Sequence, residues 1–261
     1  MTAAFHATDR DVLRIGGPDA EHFLQGLVTN DIAGLADGPV YAAMLSPQGK
    51  YLFDFIMFRD GADILLDVDA ARATHLAKRL SLYRLRAKVE IAEAGLAVIV
   101  GTGDAPEAVG ASPDPRDARL GWRALVADPA TALAGLPALT PDDYAALRVD
   151  CGVPASGAEL RPDDSYVLEM DFERLNGVDF RKGCYVGQEV TARMKHKTEL
   201  RKGLARVAIE GEPPAAGAEI TSDGKPVGYL GTSARGCGLA YLRFDRAKGD
   251  MVAGSARIRR I

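Results

Sequence analysis

Long apolar runs are missing from this 261-residue sequence: no window approaches the roughly 18 uncharged apolar residues that a membrane-spanning helix requires. The first eleven residues carry neither the apolar core of a signal peptide nor an arginine-rich transit pattern, so a cytoplasmic protein is expected. A basic excess is missing too. Thirty-two Lys and Arg stand against 36 Asp and Glu, a net charge of −4, which argues against a general nucleic-acid binder. Cysteine is scarce. Cys151, Cys184 and Cys237 form no C-x-x-C pair, so a zinc ribbon or thioredoxin-like site is not expected. His6, His22, His75 and His196 have no partner at ligand spacing and read as surface or capping residues. Neither a phosphate-binding loop nor a serine elbow occurs, and Gly101-Thr102-Gly103 fails as a dinucleotide loop because Pro106 takes the third glycine's place. What remains, 47% hydrophobic and 26% charged residues, is the composition of a folded core with a polar surface.

The patterning divides the chain in two. A proline-started amphipathic helix follows Gly16-Gly17-Pro18, with Phe23, Leu24, Leu27 and Val28 at helical spacing and an end near Thr29. Tyr41–Leu45 and Tyr51–Phe58 read as strands joined by the loop Ser46–Lys50, and Ile64–Val68 as a third. Ala73, Leu76, Leu80 and Tyr83 mark one face of a helix from Ala70 to about Leu85. Lys88–Ile91, Leu96–Val100 and Gly121–Val126 look extended, with a proline-rich loop between the last two. Thr140-Pro141-Asp142-Asp143 starts a helix that should stop near Gly152. Beyond Leu204 five short extended runs separated by Gly, Pro and Asp turns suggest a small antiparallel barrel. The expectation is an α+β domain over residues 1–200 and a barrel over 201–261. Asp67 and Asp69, on one face of a strand end, are expected to be solvated. Cys151 and Cys237 read as structural, and Trp122 as a packing residue.

Chemistry concentrates in Arg181-Lys182-Gly183-Cys184-Tyr185-Val186-Gly187-Gln188-Glu189. Two glycines flank a Cys-Tyr pair and allow sharp turns or close approach of a ligand or chain. If Arg181 and Lys182 stand near the sulfur, they favour its thiolate, and Cys184 is then a nucleophile, a metal ligand or a redox-sensitive group. The alternative is a turn before a helix with Cys184 packed inside. Eight Lys and Arg against two Glu between Arg181 and Arg206 give a local net charge of +6, and six more cations between Arg72 and Lys88 stand with no acid. Each stretch is either a solvated face or part of a surface for an anionic ligand or an acidic protein partner.

Lys182–Glu189, K-G-C-Y-V-G-Q-E, resembles the signature of the YgfZ-type folate-binding proteins, which act in iron–sulfur cluster assembly and repair within the aminomethyltransferase superfamily. Phe23–Leu27 with Thr29-Asn30-Asp31, Leu45–Lys50 and Leu82–Val89 are similar to further segments of that family. The resemblance implies an aminomethyltransferase-like fold with a central tetrahydrofolate site, a C-terminal barrel, and transient iron–sulfur client or assembly partners. It further implies Cys184 as the functional thiol and Glu169 as the carboxylate holding the pterin edge, with Lys182, Tyr185, Gln188, Arg193 and Arg201 as contributors. The chain departs from the pattern in lacking a proline just before Glu169 and in carrying Asn176-Gly177 where Gly-Gly is common. The alternative within the superfamily is a folate-dependent aminomethyltransferase, against which stands Asp69–His75, basic and without the expected downstream acid.

Overall fold

Two strands, β1 (Ala3–His6) and β2 (Arg10–Gly16), open the chain of the computed structural model, which describes residues 2–196 and 200–261; Lys197 and Glu199 of the second basic stretch lie outside them. Helix α1 (Ala20–Gln25), strands β3 (Val40–Leu45), β4 (Tyr51–Asp60) and β5 (Asp63–Asp69), and helix α2 (Ala70–Arg84) follow. Then come β6 (Glu90–Glu93), β7 (Ala97–Thr102), β8 (Ser112–Pro113), β9 (Trp122–Val126), α3 (Pro129–Leu133) and α4 (Pro141–Cys151). An irregular stretch leads to α5 (Gln188–Lys195), and the chain closes with β10 (Lys202–Glu210), β11 (Glu219–Ser222), β12 (Lys225–Ala234), β13 (Cys237–Arg243), β14 (Met251–Ala253) and β15 (Ala256–Arg260).

The fold is α+β with a terminal barrel. A five-stranded antiparallel sheet, β3-β4-β5-β2-β6, carries hydrophobic layers on both faces. Side chains alternate across a strand, so Ala42, Met44, Phe53, Phe55 and Met57 join the core beneath α1 and α2. Tyr41, Ala43, Leu45 and Ile56 join a second core with Val167, Met170 and Phe172 from the irregular stretch. Burial on both sides is why these strands read as unbroken apolar runs. A smaller sheet, β1-β7-β9-β8, buries Trp122 against Gly101. The last six strands close a barrel in the order β10-β13-β12-β11-β14-β15.

Local signals set several boundaries. Thr140 caps α4 by accepting from the Asp143 N–H at 3.0 Å, and Gly152, at φ +66°, ends it in the left-handed conformation. The expected helix after Pro18 is shorter than its apolar spacing suggests. Leu27 and Val28 still reach the core, but the chain turns at Gly26 and a separate 3-10 turn covers Ile32–Ala36. The barrel has six strands where five were expected, because the three-residue β14 is too short to show a period between Gly249 and Gly254. Asp67 corrects a second expectation. It is fully buried, because Arg10 and Arg123 each donate to it at 2.6 Å, and an ion pair with a guanidinium on either side replaces solvent.

Candidate functional site

Cys184 stands exposed in the loop between Asp179 and α5, and the reasons lie in its neighbours. Lys182, buried, turns its Nζ inward to donate to the carbonyls of Gln25, Val28 and Asn30 at 2.9, 2.6 and 2.8 Å. It thereby caps the end of α1, and burial pulls its pKa down to about 8. Its ammonium is committed to these carbonyls and is not the thiol's counter-ion. Tyr185 is buried in the second core, and burial raises its pKa. Gly187, at φ +85°, lies so close to the β3–β4 hairpin that a Cβ there would meet the Ser46 carbonyl oxygen at 2.6 Å. Across the contact, a Cβ on Gly49 would meet Val190 at 2.7 Å. The two glycine-bearing motifs therefore form one joint. Lys182 anchors the loop before the thiol and Tyr185 and Gly187 anchor it after, while Gly183 has open space about it.

Glu169 is held elsewhere, between the α+β domain and the barrel. Its carbonyl accepts from the Leu204 N–H at 2.7 Å, and Gly203 passes so close that a Cβ would stand 2.8 Å from that oxygen. The carboxylate, 7% exposed, accepts from the Tyr241 hydroxyl at 2.7 Å and lies 3.7 Å from the Lys202 Nζ, both through Oε2. Among the described residues Oε1 accepts no hydrogen bond. Glu169 lines a cleft of about 1320 Å³ with Arg161, Arg201, Lys202, Arg243 and Arg246. Tyr229 and Tyr241, directly paired on β12 and β13 with ring centroids 5.3 Å apart, form an aromatic wall, and the Arg161 guanidinium lies 3.4 Å from the Tyr229 ring centroid. Burial lifts the Tyr229 hydroxyl to about 12, and burial with the Glu169 hydrogen bond raises Tyr241 further. Both remain neutral donors at physiological pH.

Of the expected site residues, Glu169 and Arg201 meet in this cleft. Lys182, Tyr185, Gln188 and Arg193 do not line it, and Arg193 instead pairs with Glu189 at 2.6 Å. Cys184 does not line it either. The sequence reading missed Arg161, and it missed Tyr229 and Tyr241, whose signal is an aromatic at an outward strand position beside buried Leu230 and Leu242.

A second cleft, of about 450 Å³, lies between β1, β2, β9 and α4. On one wall Asp54, an acid flanked by apolar residues in β4, accepts from the Tyr41 and Tyr51 hydroxyls at 3.1 and 2.7 Å. Burial, reinforced by Asp54, raises both tyrosines. On the other, Arg116 and Arg123 donate to the buried carboxylate of Asp114. Burial opposes its charge, but the two guanidiniums outweigh that and hold its carboxyl well below the usual range. No group of three or more His, Cys, Asp or Glu among the described residues is arranged to hold a metal ion.

Residues 201–260 match the family model described as the C-terminal beta-barrel domain of CAF17. The chain is 34% identical over 289 residues to the mitochondrial iron–sulfur cluster assembly factor IBA57 of Homo sapiens, covering 95% of this chain and 80% of the relative. The Mus musculus protein of the same name is 34% identical over 283 residues, with 95% and 79% covered. The homolog of Mycosarcoma maydis is 32% identical over 232 residues, with 79% and 58% covered. Among solved structures, glycine cleavage system aminomethyltransferase T from Bartonella henselae superposes with a TM-score of 0.75 over 100% of this chain and 84% of that one. At 14% identity that likeness establishes the aminomethyltransferase-like fold. The relatives overturn the expected cytoplasmic location, since all three are named as mitochondrial proteins. That expectation rested on the character of the first eleven residues, whereas the likeness runs through the folded body.

Proposed function

Because the chain belongs to the IBA57 family of iron–sulfur cluster assembly factors, we propose that it serves the assembly or repair of iron–sulfur clusters in client proteins, with Cys184 as the functional thiol and reduced folate in the Glu169 cleft. The YgfZ-like reading of its signature enters as part of this proposal. The observation that carries it is the exposure of Cys184 on a loop anchored on both sides. One thiolate cannot enclose a cluster that ordinarily takes about four protein ligands, so a cluster is cargo here, met together with a partner's ligands.

The cleft suits a reduced folate. The free Oε1 of Glu169 can accept from the pterin's N–H edge, the Tyr229 and Tyr241 rings offer a flat wall, and Arg161, Arg201, Arg243 and Arg246 suit the carboxylates of a glutamate tail. Bound there, tetrahydrofolate would supply nitrogens able to carry a one-carbon unit. The protein's own part is to orient the ring against one carboxylate and to neutralise the tail.

Cells lacking the protein should lose activity of a subset of iron–sulfur enzymes, and Cys184→Ala should fail to restore it. Full rescue by that variant removes the thiol from the function. Titration with tetrahydrofolate should show Glu169→Ala weakened by about 1.5–3 kcal/mol, the range of a charge-assisted hydrogen bond; unchanged affinity would move the pterin to another carboxylate. Aminomethylated carrier protein and tetrahydrofolate should give no methylene-tetrahydrofolate. Turnover of about 1 s⁻¹ or faster would favour the aminomethyltransferase alternative.

A further inference from the structure

The end of α2 presents apolar surface in an unusual way. Leu82 and Leu85 are 71% and 88% exposed, more than any other large hydrophobic residue among the described residues. Helix α2 buries a different face, through Ala73, Leu76 and Leu80. Leu85 ends the helix at φ 45° and ψ −106°, a positive-φ conformation that is uncommon for a residue other than glycine and costs on the order of 1 kcal/mol or more. The fold holds it there. Just beyond, Lys88 is locked to the start of α1, its N–H donating to the Asp19 carboxylate at 2.7 Å, and its carbonyl lies where a Cβ on Gly17 would come within 2.3 Å.

Around the two leucines the charge is one-sided. Lys78, Arg84, Arg86 and Lys88 are exposed, and none has a carboxylate oxygen within 4.0 Å among the described residues, although Arg and Lys elsewhere pair freely. Helix α1 joins this surface to the thiol. Asp19, the residue just before it, contacts Lys88, and Gln25 at its end accepts from Lys182, two residues before Cys184. Six helical residues rise about 9 Å. The footprint of an ordinary protein partner, about 800 Å², is wide enough to span both ends.

We propose that Leu82 and Leu85 with the surrounding cations form the docking surface for an acidic partner protein, which the surface brings to Cys184. The leucines enter an apolar depression, and unpaired cations meet the partner's carboxylates and guide its approach. A membrane is the poorer fit, because α2 has already buried its apolar stripe and two leucines give little area to insert. A nucleic acid makes no use of exposed leucines and meets a chain of net charge −4. That the partner is an iron–sulfur client or assembly protein rests on the function proposed above; the surface itself does not.

Two full-length variants, Leu82→Ser/Leu85→Glu and Arg84→Glu/Arg86→Glu, test this once circular dichroism and tetrahydrofolate affinity match the wild type. The probe is an acidic apo-ferredoxin, titrated at low and high salt, with iron–sulfur enzyme activity in cells lacking the protein as a parallel readout. The wild type should bind the probe, high salt should weaken binding, and each variant should lose about tenfold or more and fail to restore enzyme activity. No binding by the wild type, or affinity retained in both variants, overturns the docking surface. So does binding to phosphatidylglycerol vesicles or duplex DNA that the variants abolish. Docking confirmed by titration while even the wild type restores no enzyme would instead overturn the proposed function.

Discussion

Two buried charges carry opposite lessons about single residues. Lys182 is, with Arg181, one of the two cations just before the thiol of the motif, and in sequence it reads as an activator of Cys184. Its three carbonyl partners show a structural role. Lys182→Met should destabilise the fold by about 2–3 kcal/mol, leaving three carbonyls short of a donor, and should broaden the reactivity of Cys184 towards a thiol reagent as the loop loosens. A melting temperature equal to the wild type's would refute the capping role. Asp114, between Arg116 and Arg123, has its folded pKa depressed. The unfolded chain therefore binds this proton first on acidification, so the stability it confers is complete above the ordinary value of 3.8 and is lost as pH falls below it. Urea titrations should place Asp114→Asn about 3–5 kcal/mol below the wild type at neutral pH, with the gap closing below about pH 4. A gap independent of pH would remove the carboxylate's charge from the account.

At the scale of elements, the joint between the Gly187 loop and the β3–β4 hairpin gives a sharp contrast within one motif. Gly187→Ala forces a Cβ to within 2.6 Å of a backbone oxygen at a positive φ, whereas Gly183 faces open space. Gly187→Ala should therefore lose about 1–3 kcal/mol, and Gly183→Ala no more than about 0.5 kcal/mol; equal melting temperatures would contradict the packing. This joint also shows what the sequence could and could not disclose. Hairpin, motif and α4 were readable because proline, glycine and threonine act locally on the backbone. That Gly187 and Gly49 face one another was not, since the approach of chain segments well over a hundred residues apart leaves no local period. The same holds for the cleft: Glu169 comes from an irregular stretch and Tyr229 and Tyr241 from paired strands of the barrel, and only the packing of the barrel against that stretch brings them together. Asp67 misled for a related reason, because an acid at a strand end looks solvated until Arg123, from another sheet, arrives beside it.

For the molecule as a whole, the barrel's attachment decides whether the cleft exists. Glu159, fully buried, accepts from the Ala155 N–H at 2.8 Å and from the Thr232 N–H of β12 at 2.5 Å, while Arg148 of α4 reaches the Thr232 hydroxyl at 2.6 Å. Glu159→Ala leaves Arg148 and two amides without a carboxylate and should cost about 3–5 kcal/mol. Calorimetry should then resolve two transitions where the wild type is expected to give one, and tetrahydrofolate should bind more weakly although no residue of the proposed cleft has changed. A single transition at the wild-type temperature would show that other contacts fasten the barrel. Trp122 offers an optical consequence. It is the chain's only tryptophan, sealed in the β1-β7-β9-β8 sheet with an indole N–H that meets no acceptor among the described residues. Its emission should be blue and should redden only when that sheet opens, so one fluorophore times the melting of one layer while tyrosine signals follow the rest.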